Sequence, residues 1–465
     1  MSKQTRIEHD SLGQFEVAAE ALYGAQTARA LANFPISGRG PDADFVTATV
    51  RVKRAAAVAN HAGGSLDQRR TEAIQAACDR VLAGEHREHF VVDRFQAGAG
   101  TSHNMNANEV LANLANRDLG GAIGAYDPIH PNDHVNQSQS TNDTIPTAIR
   151  LTVLAKLPRL EAAVAAMADA LAAFGRAEAA TIKSGRTHLQ DAVPTTLGRE
   201  FDAYAYILRE QGDRLRTAAE PLHRIGLGGS AAGTGLNTPP GYREAAASEL
   251  ARLTGRPITP HPDMAAAMQS LADLAHFSGQ IRELAGELTR ISNDLRLLAS
   301  GPRTGLAEIQ LPAVQPGSSI MPGKVNPVMF EMLNQTLYQV QGQDHAVQAM
   351  AQAGQLELNV MMPALGSALF DAMDWLTGAV NAATERGLHG LTANRERARD
   401  YAMVSVGLAT LLNRAIGYEK AAEIAKESER TGRPVADLVA ERGLLERAEF
   451  ERMVERAARD GRVDT

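Results

Sequence analysis

A loop with the sequence GSSIMPGKVNP carries several hydrogen-bond donors among glycines and prolines, which disfavour helix and strand. Its donors are Ser318, Ser319, Lys324 and Asn326. The loop shares some features with a phosphate-binding loop, whose pattern is G-x-x-x-x-G-K-[ST]. Here, however, five residues separate the two glycines, and Val325 stands where that pattern needs a hydroxyl. A nucleotide site is therefore disfavoured, and the donors point to another anion.

Three further polar clusters interrupt otherwise apolar helical sequence. They read GAGTS, SQSTND and GRTHLQD, and their donors are Thr101, Ser102, Ser140, Thr141, Asn142, Thr187 and His188. Together with the loop they offer mostly neutral donors with one lysine and one histidine, a set that suits a carboxylate. For each cluster taken singly, the alternative is helix capping, in which Ser, Thr and Asn satisfy the free amides of a first helical turn.

A catalytic metal has weaker support. The pairs His86/His89 and His130/His134 have spacings that could bring two imidazoles together. Pro131 disfavours a shared helical face for the second pair, and no cysteine lies near either pair. We therefore expect no metal site.

Long helices must position these clusters, because apolar residues recur every three or four positions over much of the chain. The clearest helix is predicted from about Asp263 to Ser300, with near-heptad apolar steps from Leu271 to Leu298. A second follows Pro146, and Pro158 inside it indicates a kink or a break. Further helices are predicted at about 45–62, 67–83, 195–222, 327–353 and 360–386.

This pattern divides the chain into three predicted domains. Residues 1–140 form a mixed, mainly helical domain, residues 141–395 a domain of long helices, and residues 396–465 a small helical domain. Such long helices cannot easily bury a whole apolar stripe on a compact monomer. A bundle shared between subunits is therefore favoured, with an intramolecular bundle as the alternative.

Composition excludes several partners. The 465 residues are 44% hydrophobic and 22% charged, with a net charge of −7, which provides no overall attraction to nucleic acid or to an anionic membrane. No apolar run reaches the roughly 18 residues of a membrane span. The opening MSKQTRIEHDSLG lacks the apolar core of a signal peptide, and Cys78 is the only cysteine. We expect a cytoplasmic protein.

The loop GSSIMPGKVNP resembles the signature of the fumarase/aspartase superfamily, and GAGTSHNMNANEVLAN, HPNDHVNQSQSTND, GRTHLQDAVP and GTGLNTP match that family in order and spacing. The resemblance extends from RIEHDSLG to GYEKAAEIAK. It implies a mainly α, three-domain fold with a central long-helix bundle shared in a homotetramer. It also implies active sites built from three subunits and β-elimination from a C4 dicarboxylate, giving fumarate without metal or organic cofactor.

The resemblance also implies residue roles. Ser318, on a mobile loop, would be the general base, and His188 would lie near the leaving group with Glu331 as its carboxylate partner. The enediolate intermediate and the second carboxylate would be held by Thr101, Ser140, Thr141, Ser319, Lys324 and Asn326. The remaining substrate contacts would be Ser102, Asn142 and Thr187. A second dicarboxylate site is expected at His130, Asn132 and Asp133.

Two branches of the family compete. RIEHDSLG, GAGTS, QSTND and AGQLELNVM resemble aspartate ammonia-lyases, whereas IHPND and GYEKAAEIAK resemble class II fumarases. Fumarases usually have SSND where this chain has STND, so Thr141 favours elimination of ammonia from L-aspartate. Met362 matches neither branch. The alternatives are hydration of fumarate, a lyase for a related substituted C4 dicarboxylate, or an inactive member of the fold.

Overall fold

The computed structural model describes residues 4–461, which are mainly helical. The helices are α1 Ala25–Asn33, α2 Ala43–Ala62, α3 Gln68–Leu82, α4 Thr101–Asp118, α5 Thr141–Ala177, α6 Leu197–Ala219, α7 Tyr242–Thr254, α8 Met264–Gln269, α9 Ala272–Leu298, α10 Val328–Ala351, α11 Met362–Ala383, α12 Arg395–Val404, α13 Asn413–Ile416, α14 Tyr418–Thr431, α15 Val435–Glu441 and α16 Arg447–Asp460. The mainly α fold that the sequence predicts is confirmed.

The strands are short and pair two by two. They are β1 Thr5–Asp10, β2 Gly13–Ala18, β3 Ile182–Thr187, β4 Gln190–Thr196, β5 Arg224–Ile225, β6 Thr259–Pro260, β7 Ile309–Gln310 and β8 Thr392–Ala393. β1 and β2 form an antiparallel hairpin, as do β3 and β4, while β5 pairs with β6 in parallel and β7 with β8 antiparallel. These ribbons connect helices and do not build a sheet core.

Most of the helices predicted from the sequence are confirmed, but the one expected over Asp263–Ser300 is wrong in its first part. The chain forms α8, breaks at Ser270 in an extended conformation, and restarts as α9. Ser270 Oγ accepts a hydrogen bond of 3.2 Å from the Ala272 amide, which caps the new helix. A capping serine inside an apolar repeat therefore divides what periodicity alone reads as one helix.

The longest helix is α5, which continues through two prolines. It has 37 residues and contains Pro146 and Pro158, so at 1.5 Å per residue it is about 55 Å long. Leu154, Leu157 and Leu160 around the second proline are buried. Packing of this apolar face maintains the helix although Pro158 removes one backbone hydrogen bond.

The chain separates into two compact units. Unit 1 comprises Met1–Leu160, Arg214–Glu283 and Gln339–Trp375, and unit 2 comprises Glu161–Asp213, Leu284–Tyr338 and Leu376–Thr465. A core between α2, α3 and α4 lies in unit 1, where Ile74, Leu111 and Leu114 are fully buried. A second core, formed by α14, α15 and α16 with residues 406–412, lies in unit 2. The predicted domain boundaries at residues 140 and 395 stay a prediction.

Along residues 4–461, no helix combines the length and the apolar character that crossing a membrane requires. Cys78 is buried in the unit 1 core, and burial raises the pKa of its thiol far above the ordinary value. This side chain serves as a small apolar core residue.

A buried ion pair between α5 and α9 leads to a stability prediction. Arg150 contacts both carboxylate oxygens of Asp273, at 2.8 and 2.9 Å, and its side chain is only 3% exposed. Arg150→Met should lower the free energy of unfolding by about 3 kcal/mol, because it leaves a largely buried carboxylate without its partner. Urea denaturation measures the change.

The control is Arg209→Met, which breaks an exposed pair with Asp169 and should change the free energy of unfolding by less than about 1 kcal/mol. The double variant Arg150→Met/Asp273→Leu should recover most of the loss, because it removes both charges. Equal losses in the two single variants would contradict the assignment.

Candidate active site

The first cluster begins α4. A short turn over Gly98–Gly100 precedes the helix, and the Ala99 amide donates to the Val360 carbonyl at 2.9 Å. Gly100 has a φ of 88°, and a Cβ there would lie 3.0 Å from Ile145, so glycine suits this position in both backbone and packing. Thr101 is exposed and Ser102 is buried. The turn thus presents Thr101 at a helix start, where free backbone amides favour an anion.

The second cluster is a capping box that begins α5. Ser140 Oγ accepts from the Asn142 amide at 3.2 Å, and Asp143 Oδ1 accepts from the Ser140 amide at 3.0 Å. Asn142 Nδ2 donates to the Ala231 carbonyl at 2.8 Å. The helix-capping alternative is therefore confirmed for Ser140, and the half-buried Thr141 stands on the first turn that this cap orders.

Asp143 is a functional candidate that the sequence reasoning missed. Its side chain is buried, and Oδ2 accepts from the Gly228 and Ser230 amides at 3.0 and 2.9 Å. Burial raises the pKa of this carboxyl to about 6, against the lowering effect of those amides and that of Ser140. Asp143 therefore ties the Ser140 cluster to a glycine-rich segment. The S-x-x-D spacing could have indicated the cap, but not the second partner.

The third cluster lies at the tip of a hairpin in unit 2, so the helix-capping alternative is wrong there. Thr187 ends β3, and His188 and Leu189 form the two-residue turn before β4. Both turn residues have positive φ, 54° and 60°, as a type I′ turn requires. Histidine tolerates this conformation better than most residues. The turn exposes Thr187 and His188 to solvent.

Buried charges fix the base of this hairpin. Lys183 contacts Glu200 at 2.7 Å, and Arg186 contacts Glu308 at 2.8 Å. Glu308 is fully buried. Ion pairs of this kind hold the strands in one position while the tip stays exposed.

The loop that carries Ser318 is closed at its base. Asn326 Nδ2 donates to the Gly317 carbonyl at 2.6 Å, and a side chain at Gly317 would overlap the Lys324 carbonyl. Ser318 Oγ accepts from the amides of Ile320 and Met321, at 3.2 and 3.0 Å. Two donors directed at one oxygen would favour its negatively charged form.

Other donors of this loop face solvent. Ser319 and Lys324 are exposed, and across residues 4–461 Lys324 forms no ion pair. Glu331 lies on the first turn of α10 and is half-buried. Within the described part of the chain, no ion pair joins Glu331 to His188, so their predicted pairing stays a prediction.

The predicted site residues thus fall into two groups. Unit 2 contains the hairpin tip and the loop, whereas unit 1 contains Thr101, Ser102, Ser140, Thr141 and Asn142. The predicted second dicarboxylate site is also in unit 1. There His130 Nδ1 accepts from the amides of Asn132 and Asp133 at 3.3 and 3.2 Å, and the Asp133 carboxylate lies 3.3 Å away. A function for these three residues stays a prediction.

One histidine cluster has the composition of a metal site. His86, Glu88 and His89 place their potential ligand atoms within 4.8 Å of one another. However, Arg80 and Arg117 both donate to His86 Nε2, at 2.8 and 3.2 Å. This places the proton of the neutral imidazole on Nδ1, and two guanidinium groups beside the ring disfavour a cation.

Sequence patterns of known families match most of the chain. The family described as "Lyase" matches residues 13–342, and the one described as "Fumarase C C-terminus" matches residues 408–458. The chain belongs to the fumarase/aspartase superfamily of lyases.

Individual relatives match over nearly their whole length. Aspartate ammonia-lyase of Pseudomonas aeruginosa is 48% identical over 447 residues, covering 96% of this chain and 94% of the relative. A solved structure described as fumarate lyase:delta crystallin from Brucella melitensis bound to cobalt has a TM-score of 0.95 and 46% identity, with coverage of 98% and 100%. Class II fumarase from Schistosoma mansoni also has a TM-score of 0.95, at 33% identity and the same coverage.

The buried Asp143 leads to a prediction about stability and pH. Asp143→Asn should lower the free energy of unfolding by about 2 kcal/mol, because the amide places an N–H₂ group against a backbone donor. The pKa of the native carboxyl is raised to about 6. Stability from this group is therefore present at acid pH and is lost as pH rises through 6.

The variant lacks this titration. The stability difference between wild type and Asp143→Asn should therefore shrink by about 1 kcal/mol from pH 5 to pH 7 in urea denaturation. A difference that is independent of pH would show that the carboxyl does not titrate in this range.

Proposed function

We propose that this chain catalyses the reversible β-elimination of ammonia from L-aspartate to give fumarate. The observation that carries the proposal is its 48% identity with an aspartate ammonia-lyase over nearly the full length, against 33% with a class II fumarase. Thr141 supports the same choice, because its methyl group adds bulk beside the leaving group.

The chemistry requires donors around a carboxylate. Removal of a proton next to a carboxylate produces an enediolate with two negative charges, which is costly unless donors already point at it. We propose that these donors come from Thr101, Ser140, Thr141 and Ser319. Lys324 and Asn326 would hold the other carboxylate, and the exposed Lys324 ammonium, which forms no ion pair along residues 4–461, would be available for it. Ser102 completes the proposed substrate contacts.

Ser318 is the proposed general base. A serine hydroxyl is far too weak an acid to serve as a base unless its alkoxide is stabilised. The Ile320 and Met321 amides that donate to Ser318 Oγ support this role, because they stabilise the same oxygen after deprotonation. The exposed apolar side chain of Ile320, which is 82% accessible, fits a loop that closes over substrate and excludes water.

The leaving group requires acceptors. An ammonium group departs as neutral ammonia without an added proton, whereas hydroxide needs one delivered to it. We propose that Thr141, Asn142, Thr187 and His188 accept hydrogen bonds from the ammonium. Glu331 would orient His188 from another subunit, which agrees with the absence of this pair inside the described chain.

Assembly completes the proposal. We propose a homotetramer whose active sites each combine residues of three chains, so that the four clusters of one chain serve more than one site. The exposure of Thr101, Thr187 and His188 in the single chain supports such sharing. His130, Asn132 and Asp133 would bind a second dicarboxylate.

Class II fumarase remains the second candidate, because 98% of the chain superimposes on one with a TM-score of 0.95. Met362 favours neither an aspartate ammonia-lyase nor a class II fumarase. It is 1% exposed at the start of α11 and therefore packs in the core, where it presents no functional group to a substrate.

The substrate assay tests the reaction directly. Offered separately, L-aspartate should yield fumarate and L-malate little or none, because the proposed pocket provides acceptors without a proton for hydroxide. Ultraviolet absorbance of fumarate measures both. Rapid turnover of L-malate with none of L-aspartate would contradict this proposal and support a fumarate hydratase instead. If neither compound yields fumarate, substituted aspartates should be assayed next.

A second experiment tests the base and the sharing of sites. Ser318→Ala should remove most of kcat but leave substrate binding nearly intact, because proton transfer occurs only in the transition state. Lys324→Ala should lower kcat and also raise KM strongly, because the Lys324 charge acts on the substrate both in the bound ground state and in the transition state. Steady-state kinetics separates the two effects.

Mixing provides the control. Ser318→Ala and His188→Ala chains, each inactive alone, should regain activity when they are unfolded and refolded together, because some sites then receive both intact residues from different chains. Wild-type turnover by Ser318→Ala would exclude it as the base, and no recovery on mixing would contradict shared sites.

A further inference from the structure

A lysine on α2 is buried beside the proposed substrate donors of unit 1. Lys53 is fully buried, and its ammonium donates to Asn104 Oδ1 at 2.6 Å and to Asn136 Oδ1 and Gln139 Oε1 at 3.0 Å each. These three bonds use all three N–H groups of the ammonium. All three acceptors are neutral amide oxygens, although a buried ammonium is usually hydrogen-bonded to an anion.

The three acceptors belong to the two segments that present the proposed site. Asn104 follows Thr101 and Ser102 on the first turn of α4, and Gln139 directly precedes Ser140. Asn136 Oδ1 also accepts from Asn104 and Asn108, at 3.0 and 3.2 Å, so it closes the network. A single charge therefore connects the start of α4 to the segment that leads into α5.

We propose that Lys53 is a positioning residue whose ammonium holds these two segments at the spacing that substrate binding requires. The inference rests on the proposed function, because it assigns substrate contacts to Thr101 and to Ser140–Asn142. Lys53 itself would act through the amide side chains and not on the reacting atoms.

The surroundings make this charge sensitive to pH. Burial lowers the pKa of Lys53 to about 7, with partial compensation from the Asp143 carboxylate on α5, whereas the Cys78 thiol on α3 stays neutral in this range. His103 on α4 also lies near, and burial together with Lys53 lowers its pKa to about 3, so it adds no charge. The neutral amine that forms above pH 7 has one N–H fewer than the three acceptors need.

The pH dependence of stability, compared with that of substrate affinity, distinguishes a positioning role of Lys53 from a merely structural one. Because the native pKa of Lys53 lies below that of the unfolded chain, stability from this group rises as pH increases above 7. The hydrogen bonds by which Lys53 holds the two segments, which we call the Lys53 clamp, weaken over the same pH range, because the ammonium is lost. Affinity for substrate and stability should therefore change in opposite directions.

Lys53→Met tests the clamp in the full-length enzyme, with kcat/KM for L-aspartate followed against pH. We expect kcat/KM to fall at least about tenfold at neutral pH and its alkaline decline near pH 7 to disappear. The matched control is Lys156→Met, which removes another buried lysine, one paired to Asp42 and Asp374. It should lose stability but keep the wild-type pH profile.

A second variant decides the matter if Lys53→Met does not fold. Asn136→Asp keeps the acceptor oxygen 3.0 Å from Nζ but adds a negative charge, which favours the ammonium. The alkaline decline of kcat/KM should move upward by about one pH unit. An unchanged decline in Asn136→Asp, or wild-type kcat/KM in Lys53→Met, would overturn the proposal.

Hydrogen exchange separates this inference from the proposed reaction. Without substrate, Lys53→Met should speed exchange of the Asn142 and Asp143 amides, which donate to Ser140, by about tenfold. If the wild type does not act on L-aspartate, the proposed function fails while faster exchange still supports the clamp. If Lys53→Met does not change the exchange of these amides, the proposed role of Lys53 is wrong, whichever substrate the enzyme uses.

Discussion

A buried charge must be surrounded by groups that stabilise it, and this constraint organises the polar part of unit 1. Asp143 meets it with backbone amides from the Ser140 cap and from Gly228 and Ser230, and Lys53 meets it with amide side chains. In each case the partners come from different segments of the chain. The hydrogen bonds that stabilise these two buried charges therefore also fix the positions of irregular segments. A purely apolar core would not fix those positions.

Long helices and short irregular segments have different tasks in this molecule. Helices such as α5 and α9 provide rigid, apolar packing, whereas the candidate catalytic groups lie on a hairpin tip, a closed loop and two helix starts. Buried ion pairs at Glu308 anchor the hairpin, and the bond from Asn326 to Gly317 anchors the loop. Rigid supports with exposed tips suit the proposed site, in which other chains would supply further residues and the Ser318 loop would close over the substrate.

The proposed reaction places one demand on these groups, because negative charge develops on the substrate in the transition state and must be stabilised there. The proposed answer is a set of neutral donors with a single exposed lysine, in a chain whose net charge is −7. Local donors must then outweigh the overall repulsion of a dicarboxylate. In the proposed site, the amides directed at Ser318 Oγ in unit 2 and the charge of Lys53 beside the Thr101 and Ser140 clusters in unit 1 would each add to that local field.

The sequence by itself determined the helical class, most helix positions, the family and the donors of the loop, because periodicity, capping residues and short motifs are local properties. Tertiary structure decided the break at Ser270, the continuity of α5 through Pro158 and the hairpin that exposes His188. It also brought Lys53 and Asp143 into contact with the site segments. Burial and partners that are far apart in sequence control these features, since a charge or a proline is tolerated only when distant side chains compensate for it.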